Sequence, residues 1–356
     1  MVKIISSSPG RVCLFGEDVD YMNLEVITVA INQRIKVIGK TNNSGKIRFS
    51  LVDLKEELTF KNEKQPLDKK RDYIRSVFNL FQEYLPEDFG ADIEVTSNIL
   101  IGKGISSSSA FCSALVGFFN EAANLNLPER ELAWNAYLAE VINLGEPGGM
   151  MDQYASVFGE MLYLECRKPY NLERLRSKLE GIVIGDTLTK KETLQTIKRR
   201  KGEINQGIRI MKESDNSFDL KSSSFDDVLQ AYKEYNDIGL QRLVAIVGIR
   251  DVVRSGYHKM KNHELKPEEF AKLIGRHHYF QQNYFENVTQ KMQDLIQIAK
   301  NSGSLGCKLL GSGNGGSFLA YSPGKEKIVA EAIKNGGGNA YVLKQDKGLE
   351  VITHNL

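Results

Sequence analysis

The chain has 356 residues, of which 41% are hydrophobic and 26% are charged. This balance supplies enough apolar surface for a sizeable core and argues against a globally disordered protein. Lys and Arg number 47 and Asp and Glu number 45, which gives a net charge of +2. No excess of one sign therefore indicates a nucleic acid or a membrane lipid as partner. The length predicts two domains or one large α/β unit.

The cysteine pattern argues against a disulfide framework and against a zinc site. Four cysteines are widely separated and form no C-x-x-C pair, namely Cys13, Cys112, Cys166 and Cys307. Such spacing is typical of free thiols in a reducing compartment. The N-terminus is too weakly apolar for a signal peptide, and no window approaches the roughly 18–20 apolar residues of a membrane span. We therefore expect a soluble, cytoplasmic protein without membrane or nucleic-acid partners, and the oligomeric state stays open.

Strand-like and helix-like patterns alternate in the first half of the chain. Runs rich in β-branched residues predict strands at Val26–Ile38, Ile47–Leu54 and Ala91–Ile99. Apolar residues at helical spacing, or in a long buried run, predict helices at Tyr73–Tyr84, at Phe111–Leu125 and from Pro128 to about Leu144.

The composition changes in the second half, where a heavily charged helical pattern covers Thr187–Lys212 and a polar, turn-prone segment follows at 214–227. Further helices are predicted around residues 226–250, 267–275, 283–301 and 325–335. Short strands are predicted near residues 306–310, 317–321 and 340–344. The change near residue 185 predicts an N-terminal domain of residues 1–185 and a C-terminal domain of residues 186–356.

The segment Gly102–Ala110 carries two glycines and four consecutive serines directly before an apolar helix. Glycines permit a tight turn, and successive backbone N–H groups at a helix N-terminus favour an anion. Serine is also a favoured N-cap residue, so a plain capping loop is the alternative. Four serines exceed what a cap needs, and we favour phosphate binding. The chain has no Walker A loop and no protein-kinase signature.

A second cluster, at residues 9–21, combines Arg11 with three carboxylates just past a glycine, at Glu17, Asp18 and Asp20. Carboxylates on a turn accept hydrogen bonds from sugar hydroxyls and also ligate calcium, although the EF-hand spacing is missing. A solvated acidic turn explains this cluster equally well.

A third cluster, Gly145–Tyr154, forms a tight turn after which Asp152 is expected in the first turn of a helix. Such an aspartate often does no more than compensate the helix dipole. Glu140 lies on the preceding helix, and phosphoryl transfer requires both a metal-ligating carboxylate and a base.

A fourth cluster, Gly311–Gly316, formally matches G-x-G-x-x-G. It fails as a dinucleotide-binding loop because a strand pattern follows it instead of a helix. A glycine-rich turn between two strands fits close backbone approach to a ligand or to another loop, and a plain hairpin is the alternative.

Taken together, the order and spacing of these clusters resemble the GHMP kinase superfamily, and within it the galactokinase branch. The elements that carry the resemblance are P-G-R-V…G-E…D-Y at the N-terminus, G-x-G-[LI]-S-S-S-A in the phosphate loop and K-L-x-G-x-G-x-G-G at Lys308–Gly316. The galactokinase element G-I-M-D-Q aligns with Gly149–Gln153. These motifs extend over residues 9 to 321.

The resemblance implies an α+β fold of two domains, a ribosomal-S5-domain-2-like N-terminal domain and a ferredoxin-like C-terminal domain. It places the active site, with ATP and Mg²⁺, in the cleft between them. It assigns Asp152 as the catalytic base and Arg11 as the residue that stabilises charge and keeps that aspartate ionised. The magnesium ligands it implies are Ser108 and Glu140. The other implied contacts are Gly102, Gly104, Ser106, Ser107, Ser108, Ser109, Gly313 and Gly315 for ATP, and Glu17, Asp18, Asp20 and Gly149 for the sugar.

Three residues depart from the galactokinase pattern. Asp18 replaces a histidine, Thr196 stands where the family has a tyrosine, and Lys70 replaces the tryptophan of the adenine pocket. An added carboxylate at position 18 disfavours an anionic substrate unless a cation compensates it. We therefore predict a neutral monosaccharide, phosphorylated by ATP at its anomeric hydroxyl.

Two alternatives to this sugar 1-kinase stay open. One is another GHMP branch, a heptose phosphate kinase or a mevalonate kinase, although these branches usually lack the G-E-x-x-D-Y element. The other is a catalytically inactive galactokinase-like sugar sensor.

Overall fold

The computed structural model describes residues 1–67, 69–99, 102–189, 193–262 and 265–356. In chain order, the strands are β1 (Val2–Phe15), β2 (Glu25–Asn42), β3 (Lys46–Leu51), β4 (Glu56–Lys61), β5 (Gly90–Ser97), β6 (Met161–Glu165), β7 (Leu172–Leu175), β8 (Ile182–Asp186), β9 (Gly306–Leu310), β10 (Ser317–Tyr321), β11 (Asn339–Leu343) and β12 (Glu350–Asn355). The α-helices are α1 (Tyr73–Phe81), α2 (Ser107–Ala122), α3 (Glu129–Tyr137), α4 (Met151–Phe158), α5 (Thr193–Ser214), α6 (Phe225–Tyr235), α7 (Ile238–Lys261), α8 (Pro267–Asn283), α9 (Gln290–Asn301) and α10 (Glu326–Asn335).

The larger sheet has the order β12-β1-β2-β5-β3-β4, and β6 and β7 extend it from β2. Strands β3 and β5 pair in parallel, whereas the other pairs are antiparallel. The long strands β1 and β2 are buried along most of their length because helices cover this part of the sheet. Helix α2 packs on both strands, so the loop before it is anchored to the centre of the sheet.

The smaller sheet has the order β11-β8-β10-β9 and is antiparallel throughout. Helices α5 to α9 connect β8 to β9, and α10 connects β10 to β11. This split β-α-β arrangement is the ferredoxin-like topology. The α+β fold with two sheets and the ferredoxin-like second unit are therefore confirmed.

Two strands cross the expected division at residues 185 and 186. Strand β8 ends at Asp186 and yet belongs to the smaller sheet, and β12 returns to the larger sheet to pair with β1. The division into residues 1–185 and 186–356 stays a prediction, but the sheets do not follow it.

Most of the expected elements are present, with corrections at particular positions. The helix expected from Phe111 begins at Ser107, so the serines form its first turn. The helix expected over 226–250 is two helices, because Asn236 adopts a left-handed conformation at φ 49° and ends α6. Asp237 then caps α7 by accepting hydrogen bonds from the N–H groups of Gly239 and Leu240 at 2.7 and 3.2 Å. Strands β4, β6, β7, β8 and β12 were not expected.

All four cysteines are buried and free, as their spacing predicted. Among the residues that the structure describes, no helix is long and apolar enough to cross a membrane.

Candidate functional site

The loop before α2 has three residues with a positive φ. Gly102 and Gly104 have φ values of +74° and +73°, and Ser106 at φ 59° is also left-handed. Ser106 stands at the N-cap, but its side chain makes no capping hydrogen bond, and its hydroxyl is buried without a hydrogen-bond partner among the described residues. The alternative of a plain serine cap is therefore wrong. Such a helix start is the geometry that binds anions.

Arg11 joins this loop to Asp152. Its Nε donates to Asp152 Oδ1 at 2.7 Å, its Nη2 lies 2.6 Å from the same oxygen, and its Nη1 donates to the carbonyl of Gly104 at 2.7 Å. Arg11 lies on β1, and the backbone N–H of Arg11 donates to the carbonyl of Ile105 at 3.1 Å. Asp152 lies in the first turn of α4, as expected, with its side chain partly open to solvent. One guanidinium thus fixes both the loop and the carboxylate.

Glu140 lies beside the serines at the start of α2. It belongs to a short π-helical turn over Leu138–Ile142 and accepts hydrogen bonds from Ser108, Ser109 and the amide of Gln153, the last at 2.6 Å. Burial raises the pKa of Glu140 to about 7, against the opposing effect of these hydrogen bonds. A buried carboxylate with hydroxyl oxygens around it suits Mg²⁺, which in proteins prefers one or two carboxylates together with substrate phosphates. Ser108 and Glu140 therefore fit the metal expected there.

The acidic turn is not a solvated surface feature. Glu17, Asp18 and Asp20 are only 2%, 5% and 7% exposed, so the alternative of a solvated acidic turn is wrong. Both oxygens of Glu17 are engaged, one by the ammonium of Lys308 and the other by the N–H of Gly311. The carboxylate of Glu17 therefore joins the N-terminal turn to the smaller sheet, and its expected contact with a sugar stays a prediction.

Asp18 has a buried cationic partner. Arg200 on α5 lies with Nη1 2.7 Å from Asp18 Oδ2, and the Tyr21 hydroxyl donates to Asp18 Oδ1 at 3.3 Å. The same guanidinium donates to the carbonyl of Ser312 at 3.1 Å and lies over the ring of Phe285 at 4.7 Å. The compensating cation that would cancel the effect of Asp18 is therefore present, and Asp18 gives no argument against an anionic substrate.

Asp20 and Gly149 lie against each other. A Cβ atom at Gly149 would stand 2.2 Å from Asp20 Oδ2, so only glycine fits there. Burial, followed by repulsion from Asp152, raises the pKa of Asp20 to about 7. The structure thus brings this expected pair of sugar contacts together, next to the expected base.

The glycine-rich loop at 311–316 connects β9 to β10 as a hairpin. Gly313 has a φ of +81° and packs on Asn287, where a Cβ atom would lie 2.5 Å from the backbone oxygen. Gly315 also has a positive φ, of +120°. Through the N–H of Gly311 and the carbonyl of Ser312 the loop contacts the Glu17 and Arg200 side chains, so it meets the acidic turn across the cleft. The expected contacts of Gly313 and Gly315 with nucleotide stay predictions.

A cavity of about 360 Å³ lies beside the position expected to hold adenine. Lys70 lines it, together with Arg71, Pro147 and Leu194. The cavity therefore lies at the residue expected to line the adenine pocket, and that pocket stays a prediction.

Several ion-pair and hydrogen-bond partners at the site were not expected from the sequence. These are Lys103, Gln153, Asp186, Arg200 and Lys308. Lys103, Gln153 and Lys308 lie inside quoted motifs, which is the one signal that could have found them. Asp186 and Arg200 pair with residues far away in the sequence.

Three family models match the chain. The model of the GHMP kinase N-terminal domain matches residues 72–160, and that of the GHMP kinase C-terminal domain matches residues 262–339. The galactokinase galactose-binding signature matches residues 2–41, which include the acidic turn.

Relatives with two different names resemble the chain over most of its length. A mevalonate kinase of Thermococcus sibiricus is 26% identical over 353 residues, which cover 96% of each chain. A galactokinase of Thermococcus kodakarensis is 26% identical over 321 residues, or 88% of this chain and 87% of that protein. The crystal structure of Lactococcus lactis galactokinase complexed with galactose has the same fold, with a TM-score of 0.84 at 20% identity over 98% of this chain and 95% of that one.

Proposed function

Because the chain belongs to the GHMP kinase superfamily, we propose that it transfers the terminal phosphate of ATP to the anomeric hydroxyl of a neutral monosaccharide. The observation that carries the proposal is the guanidinium of Arg11. It binds the carboxylate of Asp152 and the carbonyl of Gly104 at once, at 2.7 Å each, so an acceptor near Asp152 is also near the phosphate loop.

In this proposal, Asp152 accepts the proton of the attacking hydroxyl, and Arg11 holds the carboxylate in position. The N–H groups at the start of α2 bind the phosphates, where positioning and electrostatics account for most of the rate enhancement. Ser108 and Glu140 would hold Mg²⁺, which would supply positive charge to the transferring phosphate. Asp20 accepts hydrogen bonds from the hydroxyls of the sugar. Gly149 has no side chain and so leaves space for the carboxylate of Asp20.

A neutral acceptor is supported by the pairing of the buried cations. Arg11 is paired with Asp152, Arg200 with Asp18 and Lys308 with Glu17. An acceptor carboxylate or phosphate that took one of these cations from its partner would leave that carboxylate buried without a cation, which costs several kcal/mol. The galactose-binding signature over residues 2–41 supports the same class of acceptor.

Mevalonate is the alternative acceptor, because curated relatives that cover nearly the whole chain bear the name mevalonate kinase. It carries a carboxylate, so the paired cations argue against it.

A panel of acceptors with Mg-ATP, followed by ADP release, tests the proposal. Neutral hexoses and pentoses, uronic acids, sugar phosphates and mevalonate are compared. We expect turnover with a neutral sugar and a product phosphorylated at C1. Turnover with mevalonate or a sugar phosphate alone would overturn the proposal, and saturable sugar binding without turnover would favour a sensor.

Asp152→Asn tests the base. We expect a loss of about 10²–10⁴ in kcat with nearly unchanged ATP affinity, because the amide cannot accept the proton. Asp294→Asn, an exposed aspartate on α9, is the matched control. Equal kcat in the Asp152 variant and the wild type would remove Asp152 as the base.

A further inference from the structure

Lys103 is a cation inside the loop that precedes α2. It stands between Gly102 and Gly104, both of which have a positive φ. Its ammonium lies 2.7 Å from Asp186 Oδ2, across the cleft at the end of β8. The side chain is about a quarter exposed.

Asp186 is an unusual partner because it is only 1% exposed. Its other oxygen accepts the N–H of Leu188 at 2.9 Å, and within the described ranges no other cation forms an ion pair with it. A buried carboxylate without a cation is strongly unfavourable. Lys103 is therefore held in place by a strong local constraint.

The ion pair between Lys103 and Asp186 lies where three segments meet. These are the loop before α2, the residues after β8 and the glycine-rich loop at 311–316. Thr187, next to Asp186, bonds with both its N–H and its hydroxyl to the carbonyl of Gly316, at 2.9 and 2.7 Å. Gly104, next to Lys103, is held by Arg11. The ammonium thus stands between the start of α2 and the glycine-rich loop.

We propose that Lys103 is a phosphate-binding residue, which contacts the polyphosphate of the nucleotide while Asp186 keeps its ammonium aimed at the loop. An ammonium has three donors, and the contact with Asp186 uses one of them. The cation can therefore bridge the carboxylate and a phosphate oxygen, and no buried charge is left alone. Asp186 acts through Lys103 as a positioning residue. This inference rests on the proposed use of ATP.

Direct binding measurements test Lys103 without an acceptor sugar. The dissociation constants of ATP, adenosine and inorganic tripolyphosphate are measured by titration calorimetry, on wild type and on Lys103→Gln. We expect the variant to bind ATP and tripolyphosphate about tenfold to a hundredfold more weakly, since a charge-assisted contact is lost. Adenosine binding should be unchanged. Lys103→Arg should retain most of the affinity, and Lys327→Gln, an exposed lysine on α10, is the matched control.

Asp186→Asn provides a second readout. It removes the anchor but keeps the cation, so we expect an intermediate loss for tripolyphosphate and a steeper dependence of its binding on salt, because the ammonium is then more exposed. Thermal unfolding of each variant shows whether the fold is kept.

The outcomes separate this inference from the proposed function. If wild type binds no ATP, both are overturned. If wild type binds ATP and Lys103→Gln binds ATP and tripolyphosphate equally well, only the role of Lys103 is overturned. An equal weakening for adenosine would also overturn it, because that pattern indicates a structural defect rather than a phosphate contact.

Discussion

At the scale of single residues, the site is built from buried charges that neutralise one another. Arg11, Arg200 and Lys308 each bind a carboxylate from a distant part of the chain. Burying such a pair gives little net stability, but removing one partner is strongly unfavourable. The pairs therefore fix the positions of the side chains more than they stabilise the fold.

Asp18→His tests the pair with Arg200 by introducing the residue that galactokinases carry. We expect a loss of about 3–5 kcal/mol in the free energy of unfolding, because Arg200 is then buried without its carboxylate. Urea unfolding measures it. The double variant with Asp18→His and Arg200→Met should recover part of the lost free energy of unfolding. If the two substitutions instead lowered it independently and additively, the pairing would be contradicted.

Asp20→Asn tests the raised pKa of that carboxyl. Burial and then repulsion from Asp152 raise the pKa of Asp20 from 3.8 to about 7, against Arg11 and the N–H of Tyr21, and Asp18 adds to the rise. The native state thus holds the proton more tightly than the unfolded state, so stability falls as pH increases between these values. We expect the variant to be more stable than wild type by roughly 2–4 kcal/mol above pH 7.

Urea unfolding of wild type and Asp20→Asn at pH values from 3.5 to 8 gives the comparison. Near the acid end the difference should vanish, because Asp20 is protonated in both states. A gain that is the same at every pH would show that the charge of Asp20 is not its cause. Asp294→Asn should show no such dependence.

At the scale of elements, the short connections before α2 and α4 determine where the groups of the site lie. Left-handed residues precede α2, and the turn before α4 places Gly149 against Asp20. Close approach of this kind is sensitive to a single methyl group.

Gly149→Ala should therefore weaken sugar binding. The new Cβ atom would stand 2.2 Å from Asp20 Oδ2 and 2.8 Å from its backbone carbon, so the acidic turn has to shift. We expect KM for the sugar to rise by about tenfold or more, with ATP affinity nearly unchanged. Gly148→Ala is the matched control, because its Cβ atom would meet nothing closer than 3.9 Å. Equal KM values in the two variants would contradict the role of Gly149.

The elements and residues that could be predicted from the sequence are those with local signals. The serine run, the glycines of the loop and Asp152 stand in short motifs, and long apolar patterns located most helices and the central strands. Strands such as β7 and β12 are short or exposed and carry little alternation. The cation that compensates Asp18 could not be identified from the sequence, because Arg200 lies on a helix of the other half of the chain and only the fold brings the two together.

At the scale of the whole molecule, Lys308 connects the two sheets. From β9 its ammonium reaches Glu17 and, at 2.9 Å, the carbonyl of Cys13 at the end of β1. Both the lysine and the glutamate are almost completely buried.

Lys308→Met should therefore destabilise the whole chain by about 3–5 kcal/mol, because Glu17 keeps a buried charge without a cation. Adding Glu17→Gln to this variant should restore part of that loss, since no charge is then left. The midpoint of urea unfolding, followed by far-ultraviolet circular dichroism, gives the comparison. If Lys308→Met alone were as stable as wild type, the connection between the two sheets would not depend on the pair of Lys308 and Glu17.

The pairing of β1 with β12 has a consequence for synthesis on the ribosome. Strand β1 carries Arg11, and along one edge its residues Val2–Ser7 pair with β12, which follows every other described strand in the chain. While the chain is being translated, that edge presents free N–H and C=O groups to any neighbouring strand. The nascent chain is therefore open to mispairing until β12 emerges, which makes its first strand the place where a chaperone would be most useful.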